Sequence, residues 1–332
     1  MPNKPRVYVT RRLPHEALSV LSGKTDTTLW EGELPPAWEE IIRSVSGCQG
    51  LLSLLTDVID ERVMDAAPGL RIISNMAVGY NNIDVPAATK RGIMVTNTPG
   101  VLTETTADLT FALLLATARR LTEASEFLRQ GRWKTWSPMA LTGLDVYGAT
   151  LGIIGFGRIG QAVARRASGF NMRVLYTDRR ERPEATEIGA QFVSLDGLLR
   201  ASDIVSLHVP LTEETWGLIG QQQLGLMKTE AILINTARGE VVDQDALMDA
   251  LRHRRIGGAG LDVMVPEPLP PDHPLCDLDN AVLLPHIGSA SVATRTKMAV
   301  IAARNLLAGV SGESPPNLVN PEALGGKPEP GN

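Results

Sequence analysis

The chain reads as an α/β protein of two parallel-sheet domains, and three observations predict this. Short apolar or β-branched runs alternate with helical patterns along nearly all of its 332 residues. Those runs are apolar on both faces, as strands covered by helices on each side must be. The alternation is interrupted once, by a long stretch rich in Ala and Leu, so two series form, and at roughly 150 residues per domain the length suits two.

The first series opens with the strand candidate RVYVT from Arg6, then the helix HEALSVLSG, the strand TTLW and the helix PAWEEIIRSVSG, with Pro in its first turn. LLSLL, a helix from Asp60 to Ala67, RIISNM, a helix from Ile83 to Arg91 and IMVTN complete five strands. Asn97-Thr98-Pro99-Gly100 signals a turn. From Glu104 to Gly131 the spacing predicts one long helix, free of internal Gly and Pro and closed by Gly131, long enough to cross between domains. The second series starts at Thr150, with strand candidates ATLGIIG, MRVLYTD, AQFVS, DIVSLHV, AILINTA, GAGLDV and AVLLP, and a closing helix from Ala290 to Gly309.

Composition narrows the function. Apolar residues make up 43% and charged residues 21%, which excludes a disordered or low-complexity chain. Aromatics are scarce, 5 Trp, 4 Tyr and 5 Phe, so the core must rest on Leu, Ile, Val and Ala. A net charge of −5 without long blocks of one sign argues against nucleic acid as a partner. Cys48 and Cys276 match no metal or redox spacing and read as free thiols of a reducing compartment; no metal site is expected. The opening MPNKPRVYVT has no apolar core of a leader, and the most apolar helical stretch, Leu109 to Ala118, is too short to span a bilayer. The expectation is a cytoplasmic protein with no membrane partner.

The strongest local signal opens the second series, where Gly155-Phe156-Gly157-Arg158-Ile159-Gly160 ends a strand and begins a helix. Three glycines so spaced are a weak pattern alone, and the strand-to-helix context strengthens it. Gly155 permits the tight turn, Gly157 lets the backbone approach a pyrophosphate, and Gly160 lets helix and strand pack closely. The helix N-terminus stabilises phosphate charge. Asp178 ends the next strand, where an acid accepts the adenosine ribose hydroxyls and repels a 2′-phosphate. Arg179 and Arg180 follow it and suit that phosphate instead, so NAD is favoured and NADP stays open.

Three later segments offer chemistry for such a cofactor. Arg238 follows the strand AILIN, Glu267 follows LDVM, and His286 follows AVLLP, each just past a strand end, where open α/β sheets bind ligands. Arg238 grips a carboxylate bidentately, His286 gives or takes a proton at neutral pH, and Glu267 orients the ring and holds its imidazolium form. That set suits reduction of a 2-oxo acid. From position alone each also reads as a surface ion pair, a loop carboxylate or a loop cap. His15, His208, His253 and His273 lack this shared setting.

Together these segments resemble the D-isomer-specific 2-hydroxyacid dehydrogenase family, most closely its glyoxylate and hydroxypyruvate reductase branch. The resemblance covers nearly the whole chain: AVGYNNID from Ala77, TNTPGVLTETTADLTFALLLATARR from Thr96, GIIGFGRIGQA, LHVPLT, LINTARGEVVD, AGLDV, PEPLP, LLPHIGSA and PPNLVN. It implies two Rossmann-like or flavodoxin-like domains. The NAD(P)-binding one (101–289) would be inserted in a discontinuous substrate domain (1–100 and 290–332), which revises the division a linear reading gives. It implies NAD(P)H-dependent reduction of glyoxylate to glycolate and of hydroxypyruvate to D-glycerate.

Carried over by position, the resemblance makes Arg238 the carboxylate clamp, Glu267 the histidine's partner and His286 the proton donor. Val78 and Gly79 inherit backbone N–H contacts to the substrate carboxylate. Thr106, Gly155 to Gly160, Asp178 to Arg180, Val209, Pro210, Thr236, Ala237, Arg238, Asp262, His286 and Gly288 match cofactor-contact positions, with Asp262 toward the nicotinamide carboxamide. In related hydroxypyruvate reductases a Trp equivalent to Trp136 enters the partner subunit's site, which implies a homodimer, with Trp133 packing nearby. NADPH-preferring members tend to carry a small neutral residue where this chain has Asp178. Another D-2-hydroxyacid dehydrogenase is the nearest rival reading. Phosphite dehydrogenase is a further one, but its members tend to carry Lys in the loop that here reads Met76 to Gly79. A nicotinamide-sensing corepressor is the non-enzymatic alternative.

Overall fold

The computed structural model describes residues 4–325. Two compact units form, one taking the chain as far as Leu102 and again from Ser291, the other Thr103–Ala290. In chain order the first unit contains β1 (Arg6–Val9), α1 (His15–Leu21), β2 (Asp26–Leu29), α2 (Trp38–Val45), β3 (Gly50–Ser53), α3 (Glu61–Asp65), β4 (Ile72–Asn75), α4 (Val85–Lys90) and β5 (Met94–Thr96). The second unit contains α5 (Thr103–Ala118), α6 (Leu121–Arg129), β6 (Thr150–Ile154), α7 (Arg158–Ala167), β7 (Arg173–Thr177), α8 (Glu184–Ile188), β8 (Gln191–Phe192), α9 (Leu195–Ala201), β9 (Ile204–Leu207), α10 (Gln221–Leu226), β10 (Ile232–Asn235), α11 (Gln244–Arg252), β11 (Gly258–Leu261) and β12 (Ala281–Leu283). α12 (Val292–Val310) returns to the first unit.

All described strand pairings are parallel. The first sheet runs β2-β1-β3-β4-β5, the flavodoxin-like order. α12 lies on its β3–β4 face, with Ala299, Ala302, Ala303 and Leu306 buried among Val7, Leu52 and Ile72. Glycine permits that approach: a Cβ on Gly309 would stand 2.5 Å from Ile72 Cδ1, and one on Gly50 2.8 Å from Leu306 Cδ1. The second sheet runs β12-β11-β10-β9-β6-β7-β8. β9, β10 and β11 are buried at every position, because α5 and α7 cover one face and α9, α10 and α11 the other. Strand order reverses between β6 and β9, so the crevice at their carboxyl ends is the ligand position of this architecture.

All twelve strand candidates form. The helix expected to run unbroken from Glu104 to Gly131 does not: it is two, α5 and α6, parted at Arg119 and Arg120, with Arg120 left-handed at φ 51°. The cause is tertiary. The chain returns at Gly143 and Leu144, and Leu144 N–H donates to the Ala118 carbonyl at 2.8 Å, taking an acceptor the next helical turn needs. A Cβ on Gly143 would lie 2.1 Å from that same oxygen. The Arg120 guanidinium then pairs with Glu123, 2.8 Å away, and donates to the Thr142 carbonyl.

Candidate active site

The glycine loop has the shape its residues predict. Gly155 has φ 93°, and a Cβ there would meet the backbone of His208 and Val209 at 2.7–2.8 Å, so the turn after β6 lies directly against the end of β9. A Cβ on Gly160 would stand 2.2 Å from the Gly155 carbonyl, which is how closely α7 packs on the turn. Gly157 differs: a Cβ there would meet no atom of the chain within 4 Å. Gly157 is also the N-cap of α7, so no side chain caps the first N–H groups of that ten-residue helix. Open space over uncapped, positively polarised N–H groups fits a pyrophosphate. Arg158 and Ile159 begin the helix, whereas the Phe156 ring is fully buried, stacked on Tyr176 with centroids 4.1 Å apart, and its carbonyl accepts from Gln161 Nε2 at 3.1 Å.

Asp178, one residue past β7, is tied to that loop. Its Oδ2 accepts from the Phe156 N–H at 3.2 Å and from Arg182 Nε at 2.9 Å; its Oδ1 accepts from the Arg179 N–H at 2.7 Å. Burial opposes ionisation, but these donors outweigh it and hold the carboxyl below its usual range. Arg179 and Arg180 are exposed. Across the crevice, Val209 and Pro210 follow β9. His208 Nε2 and Ser206 Oγ are hydrogen-bonded at 2.8 Å, and burial pushes the imidazole down to about 3.

The three chemistry-bearing residues all fall in the second unit, past the ends of β10, β11 and β12. His286 Nδ1 stands 2.8 Å from Glu267 Oε2, and Glu267 Oε1 accepts from the Met264 N–H at 3.1 Å. His286 itself is left-handed at φ 53°. Burial alone would raise the Glu267 carboxyl, yet the His286 hydrogen bond and charge, the Met264 N–H and the Arg238 charge carry it below its ordinary value. Arg238 is partly buried, donates from Nη1 to the Ala237 carbonyl at 2.7 Å, and has its pKa lowered by desolvation against the opposing charges of Glu267 and Glu240. Thr236 is fixed by its hydroxyl to Thr110, 3.1 Å away.

Beneath this group lies Asp262, with no exposed surface. Its two oxygens accept from the N–H groups of Ile287 at 2.7 Å and Gly288 at 2.8 Å, and its carbonyl accepts from the His286 N–H at 2.9 Å. Thr106 Oγ1 donates to the Gly288 carbonyl at 3.1 Å. Asp262 therefore shapes the loop that presents His286. Burial raises its pKa against those N–H donors.

Val78 and Gly79 belong to the first unit, in the loop after β4. Their carbonyls are held by Asn97 Nδ2 at 2.8 Å and Asn75 Nδ2 at 3.0 Å, and the Asn97 carbonyl by Asn305 Nδ2 of α12 at 3.1 Å. Trp136 is 77% exposed, on irregular chain after α6. Sequence reasoning missed several supports of the site. These amides are one group. Gln244 is another, accepting from the Val265 N–H at 2.9 Å ahead of Glu267, and Arg182 a third. Only Arg182 carried a local signal, an arginine four places after the acid at a strand end. Among the described residues no cluster of His, Cys, Asp or Glu has the makings of a metal site, and no helix is long and apolar enough to cross a membrane.

The chain is similar to known proteins over nearly its whole length. Residues 111–288 match the family model described as D-isomer specific 2-hydroxyacid dehydrogenase, NAD binding domain. The chain is 58% identical over 328 residues to the glyoxylate reductase of Korarchaeum cryptofilum, covering 98% of each. A solved structure from Thermus thermophilus superposes with TM-score 0.89 at 51% identity, over 95% of this chain and 99% of that one. The NADPH-dependent glyoxylate/hydroxypyruvate reductase of Sinorhizobium meliloti, solved with NADP and malonate, gives TM-score 0.85 at 36% identity, over 97% and 98%.

Proposed function

The chain belongs to the D-isomer specific 2-hydroxyacid dehydrogenase family, and from that premise we propose that it reduces glyoxylate to glycolate, and hydroxypyruvate to D-glycerate, with NADH favoured over NADPH. The observation that carries this reading is the His286–Glu267 pair at 2.8 Å in one unit with Arg238, beyond the carboxyl ends of adjacent strands. In this reading the unit Thr103–Ala290 binds nucleotide and the other unit binds substrate.

The mechanism follows from the side chains. Arg238 takes the substrate carboxylate on its guanidinium fork. With Nδ1 given to Glu267, Nε2 is the nitrogen of His286 left for the substrate's carbonyl oxygen. A bound reduced nicotinamide supplies the hydride equivalent that reduces the carbonyl carbon. His286, protonated, donates its Nε2 proton to the oxygen as negative charge develops there and ends as neutral imidazole; Glu267 stabilises the charged form before transfer. Desolvation of Arg238 strengthens its attraction for an anion.

A homodimer suits the exposed apolar side chains between α6 and β6: Trp133 at 60%, Trp136 at 77%, Met139 at 76% and Tyr147 at 71%. Burial of these side chains against a second copy would bring Trp136 to the neighbour's substrate, as the resemblance implies. The two cysteines are unpaired, Cys48 buried and Cys276 exposed, which fits the reducing cytoplasm. The test is NADH absorbance on addition of glyoxylate, hydroxypyruvate or pyruvate, repeated with NADPH, and in the reverse sense with phosphite and NAD. Glyoxylate should give the highest kcat/KM with NADH. Preference for pyruvate or phosphite rejects the reading.

A further inference from the structure

Arg182 holds the acid on which cofactor choice turns. Its Nε donates to Asp178 Oδ2 at 2.9 Å while its backbone N–H donates to the Tyr176 hydroxyl at 2.9 Å. Tyr176 is fully buried and stacked on Phe156, so the anchor beneath Arg182 is core. The lone pairs of Asp178 decide what this does. A carboxylate offers about four acceptor sites, and the Phe156 N–H, the Arg179 N–H and Arg182 Nε take three. One remains, whereas an adenosine ribose of NAD presents two neighbouring hydroxyls. NAD must therefore compete with Arg182 for Asp178. A 2′-phosphate needs the opposite: an acid whose charge is neutralised and a cation beside it. The Arg182 side chain is 27% exposed, and a guanidinium carries donors beyond the Nε–H it commits here.

We infer that Arg182 is the specificity-determining residue between NAD and NADP in this chain: paired with Asp178 it competes with the ribose hydroxyls of NAD and offers its outer N–H groups to the 2′-phosphate of NADP. The inference rests on the reading of the β7 end as the adenosine-ribose site. Its test is calorimetric binding of adenosine 5′-monophosphate and adenosine 2′,5′-bisphosphate, with NAD and NADP alongside, to the wild-type chain, Arg182→Ala, Asp178→Ser and the double variant. Arg182→Ala should raise the ratio of bisphosphate Kd to monophosphate Kd about tenfold, or about 1.4 kcal/mol. Asp178→Ser should lower that ratio by releasing Arg182, and the double variant should lose the gain. If Arg182→Ala leaves the ratio within about twofold, or weakens both ligands alike, while Asp178→Ser shifts it, the role given to Arg182 is wrong and the ribose site stands. If neither variant shifts it, the ribose does not sit at Asp178 and the underlying reading falls.

Discussion

Replacing Glu267 with Gln keeps size and shape, removes the charge behind His286 and turns one acceptor into a donor. In the native site Oε2 faces His286 Nδ1 at 2.8 Å and Oε1 accepts the Met264 N–H at 3.1 Å. A glutamine whose oxygen keeps Met264 must turn its NH2 toward Nδ1, and the reverse orientation orphans Met264 N–H. Either way the imidazolium loses its anionic partner. A hydrogen bond to a charged group contributes about 1.5–3 kcal/mol. The two side chains are 26% and 31% exposed, so solvent screening removes little of this. At about 1.4 kcal/mol per factor of ten, its loss should lower kcat/KM for glyoxylate about tenfold to a hundredfold. The assay is NADH consumption at varied glyoxylate. A variant whose kcat/KM stays within about twofold of the wild type refutes the assigned role of Glu267.

Arg238→Gln should raise the KM for glyoxylate about tenfold to a hundredfold with a smaller change in kcat, since a clamp binds ground and transition states alike; an unaltered KM speaks against the clamp. Gly160→Ala and Gly157→Ala should separate packing from binding. The first places a Cβ 2.2 Å from the Gly155 carbonyl and should cost about 1–3 kcal/mol of stability. The second meets no atom of the chain, so its thermal midpoint should stay near the wild type while fluorescence titration shows weaker NADH binding. His208, lowered from 6.5 to about 3, binds its proton more readily unfolded than folded between those values. Stability should therefore fall as pH drops from 6.5 toward 3, and His208→Gln should show a shallower decline in denaturant titrations. Trp136→Ala should raise the KM for the oxo acid if a neighbour's site uses it, and sedimentation of wild-type chain as a monomer would remove that prediction's basis.

Much of this was legible in one sequence because its signals are local. A parallel strand is a short apolar run, and each of the twelve was visible as one. Gly155, Gly157 and Gly160 announce their own conformations, and Arg238, Glu267 and His286 stand just past strands whose ends must converge. What escaped depends on chain brought back from afar. The break at Arg120 is imposed by Leu144 N–H on Ala118, and no Gly or Pro marks it. The amides of Asn75, Asn97 and Asn305 look like ordinary polar residues until folding sets them on the carbonyls of Gly79, Val78 and Asn97. The hold of Asp262 on the N–H groups of Ile287 and Gly288 also escaped, since it needs the loop after β12 to curl back over β11.

The central claim is that His286 delivers the proton, so that its loss costs turnover far more than nicotinamide binding. Single-turnover mixing of preformed NADH complex with glyoxylate, for wild type and His286→Ala, tests it most directly. The account predicts that the variant still binds NADH, by fluorescence titration, while its rate of NADH consumption falls about a hundredfold to ten-thousandfold. A rate within a few-fold of the wild type, with NADH bound, would contradict it.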